Sequence, residues 1–240
     1  MKNERIIGLD VVRTISILAV VFGHSFSFFE KADNVPLIGK VTPLFSENML
    51  NLGIFGVELF FVLSGFILCL PFAHYYINNG KKVSLKKYYL RRLTRLEPPY
   101  ILALTAILFM HIAISSHPVS VLVPHWIASL AYAHNIIYHH VPMLTVVAWS
   151  LEVEIQFYLL APLLFTVLAL PQFIRRSLLF IAIVGVIFLK SVYLPSYISI
   201  YVFIQYFLMG MLLADLYVSN SFAELFNKKW MIIPAVICLV

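Results

Sequence analysis

Residues 52–72 read LGIFGVELFFVLSGFILCLPF, a run whose single charge is Glu58. A helix of that length rises about 32 Å at 1.5 Å per residue, enough to cross a hydrocarbon core about 30 Å thick. In a soluble helix the polar residues would recur every three or four positions to form a wet face. Here none does, so the segment is expected to sit in lipid. Working outward, comparable apolar runs occupy residues 6–29, 100–115, 146–170, 177–194 and 197–216. The chain is therefore expected to be an all-α polytopic membrane protein, a bundle of about six complete transmembrane helices. Another apolar run begins near residue 230 and stops at Val240, so a partial helix is expected there, and residues 1–240 are read as one transmembrane domain incomplete at its C-terminus.

Composition agrees. Of 240 residues, 62% are apolar and 12% charged, against about 45–50% and 25% in soluble domains. Net charge is +6, but it is concentrated. Lys81, Lys82, Lys86, Lys87, Arg91, Arg92 and Arg95 share one loop, whereas residues 96–174 contain neither Lys nor Arg. Such asymmetry orients a membrane protein, with the basic loop cytoplasmic, and no nucleic-acid partner is expected. Cys69 and Cys238 both lie in apolar runs, with no metal spacing and no disulfide framework.

Residues 117–146 hold His117, His125, His134, His139 and His140 together with Pro118, Pro124 and Pro142. The apolar part, 126–138, is too short to cross and reads as a re-entrant segment. Counting it as a span would also place Arg175 and Arg176 outside, against the positive-inside bias. The histidines lack a recognised ligand spacing, and no metal is expected.

Several polar residues stand in or beside the spans. Arg13 and His24 are eleven residues apart, close to three helical turns, so they share one face about 16 Å apart. Buried ionisable residues in membranes commonly line a functional path, although Arg13 snorkelling to the interface would explain it equally well. Glu58 near a membrane boundary wants a partner, while Ser64 and Gly65 read as close-packing residues. Glu152 and Glu154, two apart on one helix, point to different faces. Either one beside His24 would orient an imidazole for proton abstraction from a hydroxyl. Trp149 suits the interfacial aromatic belt. The stretch SLKKYYLRRLTRLEPPY reads as a surface helix with an apolar stripe of Leu85, Tyr89, Leu93 and Leu96, ended by Pro98-Pro99. On it Arg92 and Arg95 present two guanidiniums together, suited to phosphate.

Four of these segments, in order over about residues 7–165, resemble the membrane-bound acyltransferase 3 family, polytopic O-acyltransferases that acetylate cell-surface polysaccharides. LDVVRTISILAVVFGHS resembles its first-span motif, Arg13 and then His24. GVELFFVLSGFIL resembles its second-span motif, with Glu58 at an acidic position. RRLTRLEPPY resembles its R-x-x-R motif, Arg92 and Arg95. AWSLEVEIQFYLLAPLL resembles W-S-L-x-x-E-x-x-F-Y, through Trp149, Ser150 and Glu154, and selects Glu154 over Glu152. The segment FLMGMLLA at 207–214 fits loosely.

The resemblance implies an acyltransferase transferring groups other than aminoacyl groups, in a bacterial inner membrane. Acetyl-CoA, or another acyl-CoA, would be the donor from the cytoplasm, with no permanently bound cofactor. The acceptor would be a carbohydrate hydroxyl on lipopolysaccharide, peptidoglycan or exopolysaccharide. Arg92, Arg95 and Arg13 would hold the donor, and His24 and Glu154 would form the catalytic pair, supported by Glu58, Trp149 and Ser150. The rival reading is a membrane transporter or channel with an Arg/His/Glu relay; transporters often carry paired internal repeats, and none is visible here.

Overall fold

The computed structural model describes residues 7–31, 43–114, 117–193 and 198–219, with backbone alone at 7, 8, 24, 26–31 and 43–50. The regular structure of the described residues is all helical: α1 Ile7–Lys31, α2 Pro43–Ile77, α3 Leu85–Ile114, α4 Val119–Leu130, α5 His134–Tyr138, α6 Ala148–Leu164, α7 Gln172–Val192 and α8 Ile200–Val218. A 3-10 turn, Phe165–Ala169, extends α6. Five stretches are long and apolar enough to cross a membrane: Asn51–Ile77, Leu85–Ile114, Ala148–Ala169, Gln172–Val192 and Ile200–Val218. The remaining long helix, α1, has 25 residues. The apolar run ending at Val240 lies outside the described residues. Between α3 and α6, α4 has only 12 residues and α5 only five, both too short to cross.

Helix α2 is the hub, with α1 and α8 lying along it and α6 closing against α2 and α8. Water cannot drive helices together inside a bilayer, so contact area and small residues do the work. The arrangement follows that rule. A methyl added at Gly210 would land on the Val62 carbonyl oxygen, and one at Gly65 on the carbonyl of Phe207. The α2 and α8 backbones therefore touch through two glycines. On the other side of α2, a Cβ at Gly53 would meet Gly23 Cα at 3.2 Å, and one at Gly56 would meet the Ser16 carbonyl at 2.8 Å. Helices α1 and α2 are thus antiparallel and closely apposed. Aromatic rings fill the remaining space: Phe207 stacks on Phe157 at 4.0 Å and on Phe61 at 4.8 Å.

Two elements depart from the sequence reading. Helix α3 runs unbroken through Pro98 and Pro99. Each proline removes one N–H, leaving the carbonyls of Thr94 and Arg95 without their usual partner, yet the backbone stays helical. The expected surface helix and the following span are consequently one rod, and Arg92 and Arg95 ride on it toward the bundle. Helix α2 also starts at Pro43, within the expected loop.

A buried ion cluster ties α7 to α8. Asp215 is fully buried and accepts from Arg175 Nε and Arg176 Nε, each at 2.5 Å. Arg176 Nη2 also donates to Ser219 Oγ at 2.6 Å. The two arginines, read from sequence only as topology markers, therefore have a packing role as well.

Candidate functional site

A cavity of about 260 Å³ opens between α1, α2, α3 and α6, lined by Arg13, Phe60, Leu63, Ser64, Ile67, Leu68, Arg92, Arg95, Leu96, Glu154 and Tyr158. Helical spacing explains the set. Arg92, Arg95 and Leu96 stand at i, i+3 and i+4 on one face of α3, and Glu154 and Tyr158 at i and i+4 on α6. Phe60, Ser64 and Ile67 follow the same rule on α2.

Helix α6 is pinned to α3 by a consequence of its own sequence. Pro162 lies inside α6 and has no N–H, so the Tyr158 carbonyl, four residues earlier, loses its intrahelical donor. The Tyr88 hydroxyl from α3 fills that gap at 3.3 Å, and Tyr89 OH donates to the next carbonyl, Leu159, also at 3.3 Å. These bonds fix the register that brings Arg92 over the Tyr158 ring, 5.8 Å from its centroid.

Glu154 is the carboxylate of the cavity. Its Oε1 accepts from Ser64 Oγ at 2.6 Å and from the Tyr158 hydroxyl. Arg92 and Arg95 form no ion pair with a described residue, and Arg13 meets Asp10 only at 3.5 Å in a half-exposed contact. Three guanidiniums thus share the cavity with one carboxylate, one oxygen of which is bonded to two hydroxyls. The balance is cationic and suited to a polyanion, since Arg binds phosphate oxygens in a planar fork.

Of the residues singled out in the sequence, Arg13, Arg92, Arg95 and Glu154 meet here. The backbone of His24 lies beside Gly23, at the Gly53 level of α2; its side chain lies outside the described residues. Ser64, which bonds Glu154, stands eleven residues farther along α2, about 16 Å away along the axis. The Glu154 carboxylate is therefore level with Arg13, three turns from His24, and not at the outer end of the path. That depth is set by the α2–α6 packing, which sequence position alone does not give.

Glu58 belongs to a second cluster. It accepts from Tyr206 OH of α8 at 2.5 Å, beside Trp149, which stacks on Phe203 at 5.1 Å and meets Phe61 edge-on at 6.3 Å. Lys190 of α7 lies 5.9 Å over the Phe203 ring. Ser150 Oγ donates back to the Val147 carbonyl at 3.1 Å, a local bond at the start of α6.

Glu152 faces the other way and holds the segment that joins α4 to α5, at the first residues of α5. Fully buried, it accepts from His134 N at 3.1 Å, Asn135 N at 3.0 Å and Asn135 Nδ2 at 2.8 Å. His125 Nδ1 and His134 Nε2 are 2.8 Å apart, and His134 Nδ1 lies 3.3 Å from the His140 carbonyl oxygen. Burial, with His125 adding to it, pushes the His134 imidazole down to about 4, and burial also lowers His125. Two neutral rings can share the His125–His134 bond, one donating and one accepting, whereas two imidazolium ions cannot, since a charged ring only donates. Among the described residues no group of three His, Cys, Asp or Glu side chains is set to hold a metal ion.

A family model described as an acyltransferase domain matches residues 6–240. Over 182 residues the chain is 27% identical to O-acetyltransferase OatA of Staphylococcus aureus (strain NCTC 8325 / PS 47), covering 72% of this chain and 26% of that protein. A second protein, from Staphylococcus aureus (strain COL) and named provisionally as an O-acetyltransferase, is 26% identical over 180 residues, covering 70% and 26%. The chain spans about a quarter of the length of the curated relatives it matches. No solved structure matches it.

Proposed function

Because the chain belongs to the acyltransferase 3 family, whose model covers residues 6–240, we propose that it moves an acyl group, acetyl in the first instance, from cytoplasmic acyl-CoA to a hydroxyl of a cell-surface or exported carbohydrate. The acceptor classes in view are lipopolysaccharide, peptidoglycan and exopolysaccharide, and the site of action is the bacterial inner membrane. The observation that carries this reading is the single cavity joining Arg13, Arg92 and Arg95 to Glu154. The phosphates of the donor sit on the Arg92 and Arg95 forks, next to the exposed cations Lys86, Lys87 and Arg91 on the side assigned to the cytoplasm. Arg13 adds positive charge on the opposite wall. His24, three turns farther along α1, is a base on the acceptor's side of the path, since imidazole is poised for proton transfer near neutral pH.

A solute relay through Arg, His and Glu is the competing reading, and a transporter has no use for a coenzyme A site. The deciding assay follows labelled acetyl from acetyl-CoA to acceptor in liposomes carrying the full-length protein. Label should reach carbohydrate, and His24→Ala should abolish transfer while leaving donor binding intact. Undiminished transfer by His24→Ala would remove the base from the account.

A further inference from the structure

We propose that Ser64 is the nucleophile that takes the acyl group from the donor and carries it as an ester at mid-membrane. The inference rests on the acyl-CoA reading of the cavity. It starts from one bond, Ser64 Oγ donating to Glu154 Oε1 at 2.6 Å. A serine hydroxyl is a weak nucleophile until a neighbouring base takes its proton, and nucleophile and base within hydrogen-bond reach is the arrangement that activates it. Both groups line the same cavity as the three guanidiniums, so the base, the hydroxyl and the cations for a phosphorylated thioester share one space.

Two further observations separate Ser64 from a merely hydrogen-bonded serine. The first is fixity: its neighbour Gly65 is pressed on the Phe207 backbone of α8, so Ser64 cannot drift from Glu154, and its half-buried side chain faces the cavity. Tyr158, which bonds the same carboxylate oxygen, is 6% exposed, and its hydroxyl holds the carboxylate in place. The second is depth. Ser64 stands midway along the apolar stretch Asn51–Ile77, about 20 Å from either end. A donor held from one side and an acceptor arriving from the other would each have to cross only half the bilayer.

The step balances without any co-reactant. Ser64 Oγ attacks the thioester carbonyl and its proton passes to Glu154. The C–O bond forms, the C–S bond breaks, and Glu154 returns the proton to the leaving thiolate, giving coenzyme A and acyl-Ser64. Transfer from a thioester to an oxygen ester runs downhill. An acceptor hydroxyl then attacks the ester carbonyl; His24, three turns away, is out of reach of this step, so Glu154 takes the proton and returns it to the regenerated Ser64 oxygen.

The test incubates the purified full-length protein with [1-14C]acetyl-CoA in the absence of acceptor, quenches in acid and maps the labelled peptide. Near-stoichiometric label should sit on Ser64, resist neutral hydroxylamine and leave in alkali, as oxygen esters do. Ser64→Ala should take no label and lose about 10³-fold or more in transfer, with coenzyme A affinity within twofold of wild type. Ser64→Cys should take label that neutral hydroxylamine now removes, because the linkage is a thioester; a serine with only a packing role would give no such change. Wild type that transfers acetyl without a trapped label, or Ser64→Ala active to within tenfold, would overturn the nucleophile and leave the donor site standing. A wild-type protein that does not bind coenzyme A would overturn both.

Discussion

Glutamine placed at 152 and at 154, two residues apart on one helix, should produce opposite phenotypes. The Glu152 carboxylate accepts three N–H groups: His134 N on one oxygen, and Asn135 N and Nδ2 on the other. Glutamine keeps one acceptor oxygen. Its best orientation gives that oxygen to the two Asn135 donors and turns the amide NH₂ toward His134 N–H, donor against donor. An orphaned buried donor costs about 1–3 kcal/mol, and each Asn135 bond loses about 1 kcal/mol of charge assistance. A neutral amide is cheaper to bury than a carboxylate, which offsets part, leaving a net loss of about 2–4 kcal/mol. If the segment opens locally, amide exchange over residues 131–140 should accelerate about 30- to 1,000-fold, at 1.4 kcal/mol per tenfold. Glu154→Gln is different, because its carbonyl oxygen can still accept both Ser64 Oγ and Tyr158 OH. Exchange should stay near wild type while acyl transfer falls about 10²–10⁴-fold, the range for a lost general base. Hydrogen–deuterium exchange mass spectrometry on both variants reads the contrast. Exchange over 131–140 within threefold of wild type in Glu152→Gln would refute the assignment of Glu152 to the fold.

Two further outcomes follow from the packing and from the histidine pair. Gly210→Ala puts a methyl on the Val62 carbonyl and close to Phe66 N, backbone atoms that cannot step aside, so α2 and α8 must separate at about 3 kcal/mol, the upper part of the overpacking range; a lowered Tm in a fixed detergent checks it, and an unchanged Tm would show that the helices do not touch there. His134 is held near 4 in the fold against about 6.5 when unfolded, so the unfolded segment binds more protons between those values. Order in residues 131–140, read as amide protection corrected for the intrinsic pH dependence of exchange, should be complete above about pH 6.5 and decline as pH falls toward 4, and His134→Gln should flatten that dependence, leaving the part that His125 contributes.

Five of the six expected spans fall on long apolar helices, legible because about 20 predominantly apolar residues in a row admit few other fates. The lack of a spanning helix in 117–146 was legible too, from its short apolar run, although the helices there, Val119–Leu130 and His134–Tyr138, do not follow the expected 126–138 bounds. The four cavity residues Arg13, Arg92, Arg95 and Glu154 were legible as motif positions, but the depth at which they meet was not. Glu154 follows closely on the start of α6, yet its partner Ser64 lies at the centre of the apolar stretch Asn51–Ile77. Only the packing of two distant helices decides that. Pro98-Pro99 read as a boundary because proline disfavours a preceding helix; tertiary contacts, with Tyr88 and Tyr89 bonded to α6, override that preference. Asp215 carried a usable signal that went unread, a carboxylate within an apolar span that wants a cation, and Arg175 and Arg176 on the neighbouring helix supply it.

Coenzyme A binding by the purified full-length protein, titrated calorimetrically in parallel with Arg92→Lys and Arg95→Lys, is the most direct test of the donor site. Lysine preserves the charge and the membrane orientation but lacks the planar fork. The cavity reading predicts saturable binding by wild type and at least about tenfold weaker binding by each variant, a loss of about 1.4 kcal/mol. Absence of binding by wild type, or equal affinity in all three proteins, would contradict it.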